Sequence, residues 1–142
     1  MEARVRLDKD MEFRATGGSG HEVVLDAADE SGGKNAGPRP MELLLVALAG
    51  CTAMDVISIL RTQREPVEAY EVRVSAERAK DHPRVFTEIR VEHVVTGNVK
   101  EASLARAIEL SETKYCSVRA MLRPETEITT TYRVERPAPA NL

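Results

Sequence analysis

Tryptophan is absent, and three Tyr and two Phe are the only aromatics among 142 residues. Lys and Arg number 20 against 23 Asp and Glu, a net charge of −3, and no basic block stands apart from acidic neighbours. A nucleic-acid reader needs a basic face or stacking aromatics, so no nucleic-acid partner is expected. Met1 to Asp10 alternates charges without an apolar stretch, so no secretory leader is expected. The most apolar run, Leu43 to Leu60, falls short of the about 20 residues of a bilayer span and contains Asp55, so it reads as a buried helix and no membrane association is expected. There is no Walker loop. Gly17-Gly18-Ser19-Gly20 lacks the strand, turn and long-helix order of a dinucleotide fingerprint, so no cofactor is expected. Only two cysteines occur, with no C-x-x-C and no Cys/His pair at zinc spacing, so no metal site is expected.

What is present is a globular balance, 42% apolar and 30% charged, in a length that suits one domain over 1–142. Val5 and Leu7, then Met11, Phe13 and Ala15, alternate with charged neighbours, the period of half-buried antiparallel strands. Asp8-Lys9-Asp10 is the turn between them, and a short strand follows at Glu22 to Asp26. A loop from Ser31 to Pro40 leads into a helix from Met41 to about Arg64, with Pro40 suited to its first turn. That helix is apolar on nearly every side over its first half, which predicts a helix surrounded by protein. Tyr70 to Glu77 and Phe86 to Val95 alternate as a hairpin. Asn98 is a candidate N-cap for a second helix from Val99 to about Thr113. A short turn or helix spans Cys116 to Leu122, a last strand Glu127 to Val134, and a loose tail 137–142. The class is α+β, with helices on antiparallel sheet around a long central helix. Such a helix needs more cover than one small sheet gives, which makes a homodimer the natural solution, with a monomer that wraps its sheet as the alternative.

Cys51 lies mid-helix in Ala49-Gly50-Cys51-Thr52. Cys116 lies in Lys114-Tyr115-Cys116-Ser117-Val118, 65 positions later. The lack of a leader implies a cytoplasmic protein, where thiols stay reduced. Two thiols there are either a redox pair that meets through tertiary folding, or small buried core residues.

The segments Gly37-Pro38-Arg39-Pro40-Met41-Glu42-Leu43-Leu44-Leu45, Ala49-Gly50-Cys51-Thr52-Ala53-Met54-Asp55 and Lys114-Tyr115-Cys116-Ser117-Val118 resemble the two cysteine segments of the OsmC/Ohr superfamily. The order of hairpin and helix between them fits too, and the likeness runs from about Met11 to Val134. The resemblance implies an intertwined homodimer with sites at the subunit interface. It implies Cys51 as the peroxidatic thiol and Cys116 as the resolving one, with an external dithiol as reductant and a small hydroperoxide as substrate, in protection against oxidative stress. The family's reductase branches place an Arg in the N-terminal glycine-rich turn and a Glu ten positions before the first cysteine. Here Ser19 or a neighbour occupies the first place and Met41 the second. Glu42 lies nine before Cys51, on the opposite helix face at about 100° per residue. A second reading therefore stands beside the first: a non-catalytic protein that binds a hydrophobic small molecule at the dimer interface, its cysteines redox-sensing or inert.

Several neighbours carry two readings each. Arg39 is a loop arginine or a cation for Cys51. Asp55, at i+4 from Cys51, is a structural acceptor of an N–H or of a nearby arginine, or a carboxylate opposing ionisation. Arg119, three after Cys116, is surface charge or a thiolate partner. His93 shares the apolar strand face with Ile89, Val91 and Val95, and is a hydrogen-bonded core histidine or a base. His21 and His82 fall in turns. Arg61, Arg64 and Glu65 read as a solvated helix end.

Overall fold

A computed structural model describes residues 1–139, so the last three residues of the expected 137–142 tail lie outside the described residues; 137–139 carry no regular structure. The chain is α+β, with two three-stranded sheets and three α-helices. It divides into two compact units, Met1–Leu44 and Leu45–Leu142.

The first unit holds β1 (Ala3–Lys9), β2 (Glu12–Gly17) and β3 (Glu22–Leu25), an antiparallel sheet in sequence order. The first turn is tighter than expected, closing at Asp10-Met11, with Asp10 left-handed at φ 48°. Beyond β3, Asp26 organises the loop. Its carboxylate accepts the backbone N–H of Ala27 at 2.7 Å and of Lys34 and Ala36 at 3.0 Å each. The returning chain comes so close that a Cβ at Gly33 would sit 2.0 Å from the Ala27 carbonyl oxygen, which only glycine tolerates.

Helix α1 (Pro40–Thr62) begins in this unit and continues into the second. The Glu42 carboxylate accepts the Arg39 N–H at 2.8 Å and ties down its first turn. Its buried positions form one stripe at every fourth residue, Leu48, Thr52, Val56 and Leu60. Sequence patterning predicted protein on all sides; among the described residues Leu44, Val46 and Met54 stay exposed. By length and composition α1 could also cross a bilayer.

The second unit contains β4 (Val67–Arg78), β5 (Phe86–Gly97), α2 (Glu101–Leu110), a π-helical turn (Ser111–Tyr115), α3 (Ser117–Met121) and β6 (Glu127–Glu135). Strands β4 and β5 form the expected hairpin, pairing Tyr70 with Val95, Val72 with His93 and Val74 with Val91. The expectation of a wholly antiparallel sheet is corrected here: β6 runs parallel to β5, from Glu88↔Glu127 to Thr96↔Glu135. The intervening α2 and α3 supply the long crossover a parallel pair requires. The core is Val56 and Leu60 of α1, Val95 of β5, Val99, and Leu104, Ala107 and Ile108 of α2. Each such burial contributes about 1.5–3 kcal/mol for a large aliphatic side chain.

Two helix ends also differ from expectation. Helix α2 starts at Glu101 with Lys100 as N-cap, and Lys100 makes no side-chain cap. The cap comes from Glu65, whose carboxylate accepts the Lys100 N–H at 3.1 Å and the Ser103 hydroxyl at 2.7 Å. These bonds hold Glu65 below the usual carboxylate range, the Ser103 hydroxyl foremost. Glu65 is thus a tie between the end of α1 and the start of α2, and Asn98 instead accepts from Arg136 at 2.7 Å.

Candidate functional site: a paired-thiol centre

Cys51 sits at mid-length on α1, one residue before the buried Thr52. Cys116 sits where the π-turn ends, with its backbone extended at φ −72°, ψ 95°. Its N–H bonds to the Ser111 carbonyl at 2.8 Å, the wide i→i+5 closure of a π-turn. The two sulfurs and a carboxylate oxygen of Asp55 all lie within 4.8 Å of one another. Both cysteines are free; Cys116 is 5% exposed and Cys51 is half-buried.

The surroundings are polar and connected. Ser111 donates its hydroxyl to Asp55 Oδ2 at 2.9 Å, and Thr52 bonds to Ser111 at 2.9 Å. Asp55 is therefore a structural acceptor, though its partner is a serine hydroxyl rather than an N–H or arginine. Cys116 Sγ accepts the Arg119 N–H at 3.4 Å. Burial pushes the Cys116 thiol up to about 11, and the neighbouring Cys51 and Asp55 add to the rise against the pull of that N–H.

The Arg119 guanidinium goes elsewhere. It donates to Glu112 at 3.2 Å, with both side chains about a quarter exposed, so it is neither free surface charge nor a partner of the thiol. Thr130 donates to the same carboxylate. His93 is a buried core histidine, its Nδ1 sharing a 2.7 Å hydrogen bond with the Tyr70 hydroxyl. Burial lowers its pKa to about 4, against the raising influence of Glu112, so the ring is neutral at pH 7. Its Nε2 is buried without a hydrogen-bond partner among the described residues. A cavity of about 10 Å³ lies between His93, Glu112, Cys116, Arg119 and Thr130, room for about one water.

Arg39 bonds to Asn35 and to the Gly37 carbonyl in its own loop, at 2.8 and 2.9 Å, which is the loop-arginine reading. Ser19 bonds with exposed His21 at 3.3 Å, and His82 is exposed in the β4–β5 turn. Arg61 and Arg64 are exposed at the end of α1, as expected. Ser111, Thr52, Glu112 and Tyr70 were not singled out in the sequence. Thr52 and Ser111 each interrupt an otherwise apolar helical stripe, and Tyr70 lies diagonal to His93 on one hairpin face, so a signal existed for three of the four.

Two free thiols flanked by a carboxylate, one on a long helix and one at a π-turn, define an α+β protein with a dithiol centre. Residues 32–131 match the OsmC-like protein family. The chain belongs to that family. It is 43% identical to Protein YhfA of Escherichia coli (strain K12) over 135 residues, covering 94% of this chain and 98% of that protein. The crystal structure of a hypothetical protein from Aquifex aeolicus VF5 superposes with a TM-score of 0.85 at 32% identity, covering 96% and 97% of the two chains. The organic hydroperoxide resistance protein OhrB of Bacillus subtilis superposes with a TM-score of 0.61 at 16% identity, covering 94% and 98%. At that identity the likeness is one of fold.

Proposed function

We propose that the chain is a thiol-dependent peroxidase that reduces organic hydroperoxides or hydrogen peroxide, with Cys51 as the attacking thiol and Cys116 as the resolving one. The observation that carries this reading is the pairing of two reduced sulfurs of unequal exposure. Cys51 is the more exposed of the two, and an open depression of about 540 Å³ lined by Met54, Asp55 and Tyr115 lies beside its neighbour Asp55. The Cys51 thiolate attacks the terminal peroxide oxygen, the O–O bond breaks, and the alkoxide leaves as an alcohol. The resulting sulfenic acid condenses with Cys116 to a disulfide and water. An external dithiol restores both thiols by exchange. The order of roles follows from Cys116 being buried and protonated at neutral pH.

The reading takes the chain as a soluble protein. The cytoplasm, with its reducing poise, suits two free thiols. The reading also includes a homodimer, supported by the uncovered apolar side chains of α1 and by the fully exposed β1, where Val5 and Leu7 are each 56% exposed. Sedimentation at increasing concentration tests the dimer. Mass spectrometry of the reduced protein before and after one equivalent of cumene hydroperoxide tests the chemistry. A rapid Cys51–Cys116 disulfide that is lost in Cys51→Ser supports it, and thiols that stay reduced for minutes overturn it.

One observation favours the binding reading. An apolar groove of about 460 Å³ in the first unit, lined by Val5, Met11, Phe13, Leu25 and Pro40 together with Asp26 and Arg39, has the size and character of a site for a hydrophobic small molecule.

A further inference from the structure

We propose that Cys51, Asp55 and Cys116 bind a thiophilic divalent cation, zinc foremost, whenever both cysteines are reduced. The three ligand atoms come from α1 and from the end of the π-turn, so the set is assembled by tertiary folding and leaves no local spacing motif in the sequence. They already lie within 4.8 Å of one another. Around a tetrahedral zinc with two sulfurs and one oxygen, ligand atoms are about 3.6–3.8 Å apart, given bonds of about 2.3 Å to sulfur and 2.1 Å to oxygen. The difference is about 1 Å, a distance on the scale of side-chain rotation.

The outer ring fits a metal as well. Ser111 donates to Asp55 Oδ2, is itself held by Thr52, and so fixes the carboxylate plane. The Arg119 N–H points at Cys116 Sγ, the outer bond that thiolate ligands take. Two thiolates and a carboxylate overcompensate a divalent charge by one. The Arg119 guanidinium, three residues after Cys116, is engaged by Glu112 rather than by the cluster. Three protein ligands leave a fourth position for water or a small exogenous ligand. On binding, both thiol protons pass to solvent and no electron moves. The disulfide has no thiolates to offer, so the oxidised protein releases the cation.

The site uses the same thiols as the proposed peroxidase but does not depend on turnover, and the two fail separately. The test is an anaerobic titration of the reduced chain with Co²⁺. One equivalent should give a thiolate-to-cobalt charge-transfer band with the visible bands of a tetrahedral ion, and zinc should displace it. Cys51→Ser and Cys116→Ser should each weaken binding by more than about 100-fold, beyond the 10–100-fold typical of outer-ring changes such as Ser111→Ala. Asp55→Asn should weaken it by at least about 10-fold. Circular dichroism checks that each variant folds. If one does not, wild-type protein oxidised with diamide serves instead, losing the cobalt spectrum and regaining it on reduction. The proposal is overturned by the absence of a charge-transfer band in reduced wild type, by an octahedral spectrum, by a band that survives diamide, or by unchanged affinity in folded Asp55→Asn. Thiols inert to cumene hydroperoxide would remove the peroxidase and leave the cobalt result standing.

Discussion

The two units are built on opposite terms. Along β5, seven of twelve positions are buried, and Val95 among them joins α1 and α2 in one apolar core. Along β1 all seven positions are exposed, and Asp26 is the one fully buried residue among the first 44. The second unit is held by apolar burial. The first is held by ladder hydrogen bonds and by a carboxylate gathering three N–H groups. The first sheet keeps apolar side chains such as Val5 and Leu7 exposed, and the apolar groove lies in the same unit.

Core truncation sharpens this contrast most. Leu104→Ala should cost about 3 kcal/mol in urea unfolding, while Val5→Ala should stay within about 0.5 kcal/mol at concentrations where the chain is monomeric. A comparable loss at Val5 in dilute protein would break the comparison. Next in size is pH. His93 has a folded pKa of about 4, below the unfolded value of about 6.5, so the unfolded chain takes up the proton first. Its contribution is fully present above pH 6.5 and is lost as pH falls toward 4, on the order of 3 kcal/mol in all. His93→Gln should flatten that part of the profile. In the first unit, Asp26→Ala should lower Tm by roughly 5 °C and open the 27–36 loop to proteolysis, since three N–H groups lose their acceptor. Smallest is Glu65→Ala, with a drop of roughly 2–4 °C and faster hydrogen exchange at the Lys100 amide. Within the site, the step from sulfenic acid to disulfide should quicken about tenfold per pH unit from 7 to 10 if Cys116 resolves, because a thiol raised to about 11 is mostly protonated throughout that range. A rate flat in pH would remove Cys116 from that role.

The period-two strands, the long helix and the cysteine segments were all readable, because alternation and apolar runs are local signals. The direction of β6 was not taken from its own residues, although a crossover of some thirty residues containing α2 pointed to a parallel strand. The π-turn leaves no mark at all: Ser111-Glu112-Thr113-Lys114-Tyr115 contains neither Gly nor Pro. Asp55 was visible at i+4 from Cys51, yet its partner Ser111 lies 56 positions away and becomes a neighbour only through folding. Glu65 looked like a solvated helix end for the same reason.

Glu65 has a mechanical consequence. It fastens the far end of α1 to the start of α2, and Thr52 and Asp55 fasten the middle of α1 to Ser111 at the other end of α2. The segments that carry the two sulfurs are thus braced like the uprights of a ladder with two rungs. Uprights held in two places cannot slide or splay. The two free sulfurs therefore sit on a frame tied on either side of them, and what is left to vary between them is the rotation of their own side chains.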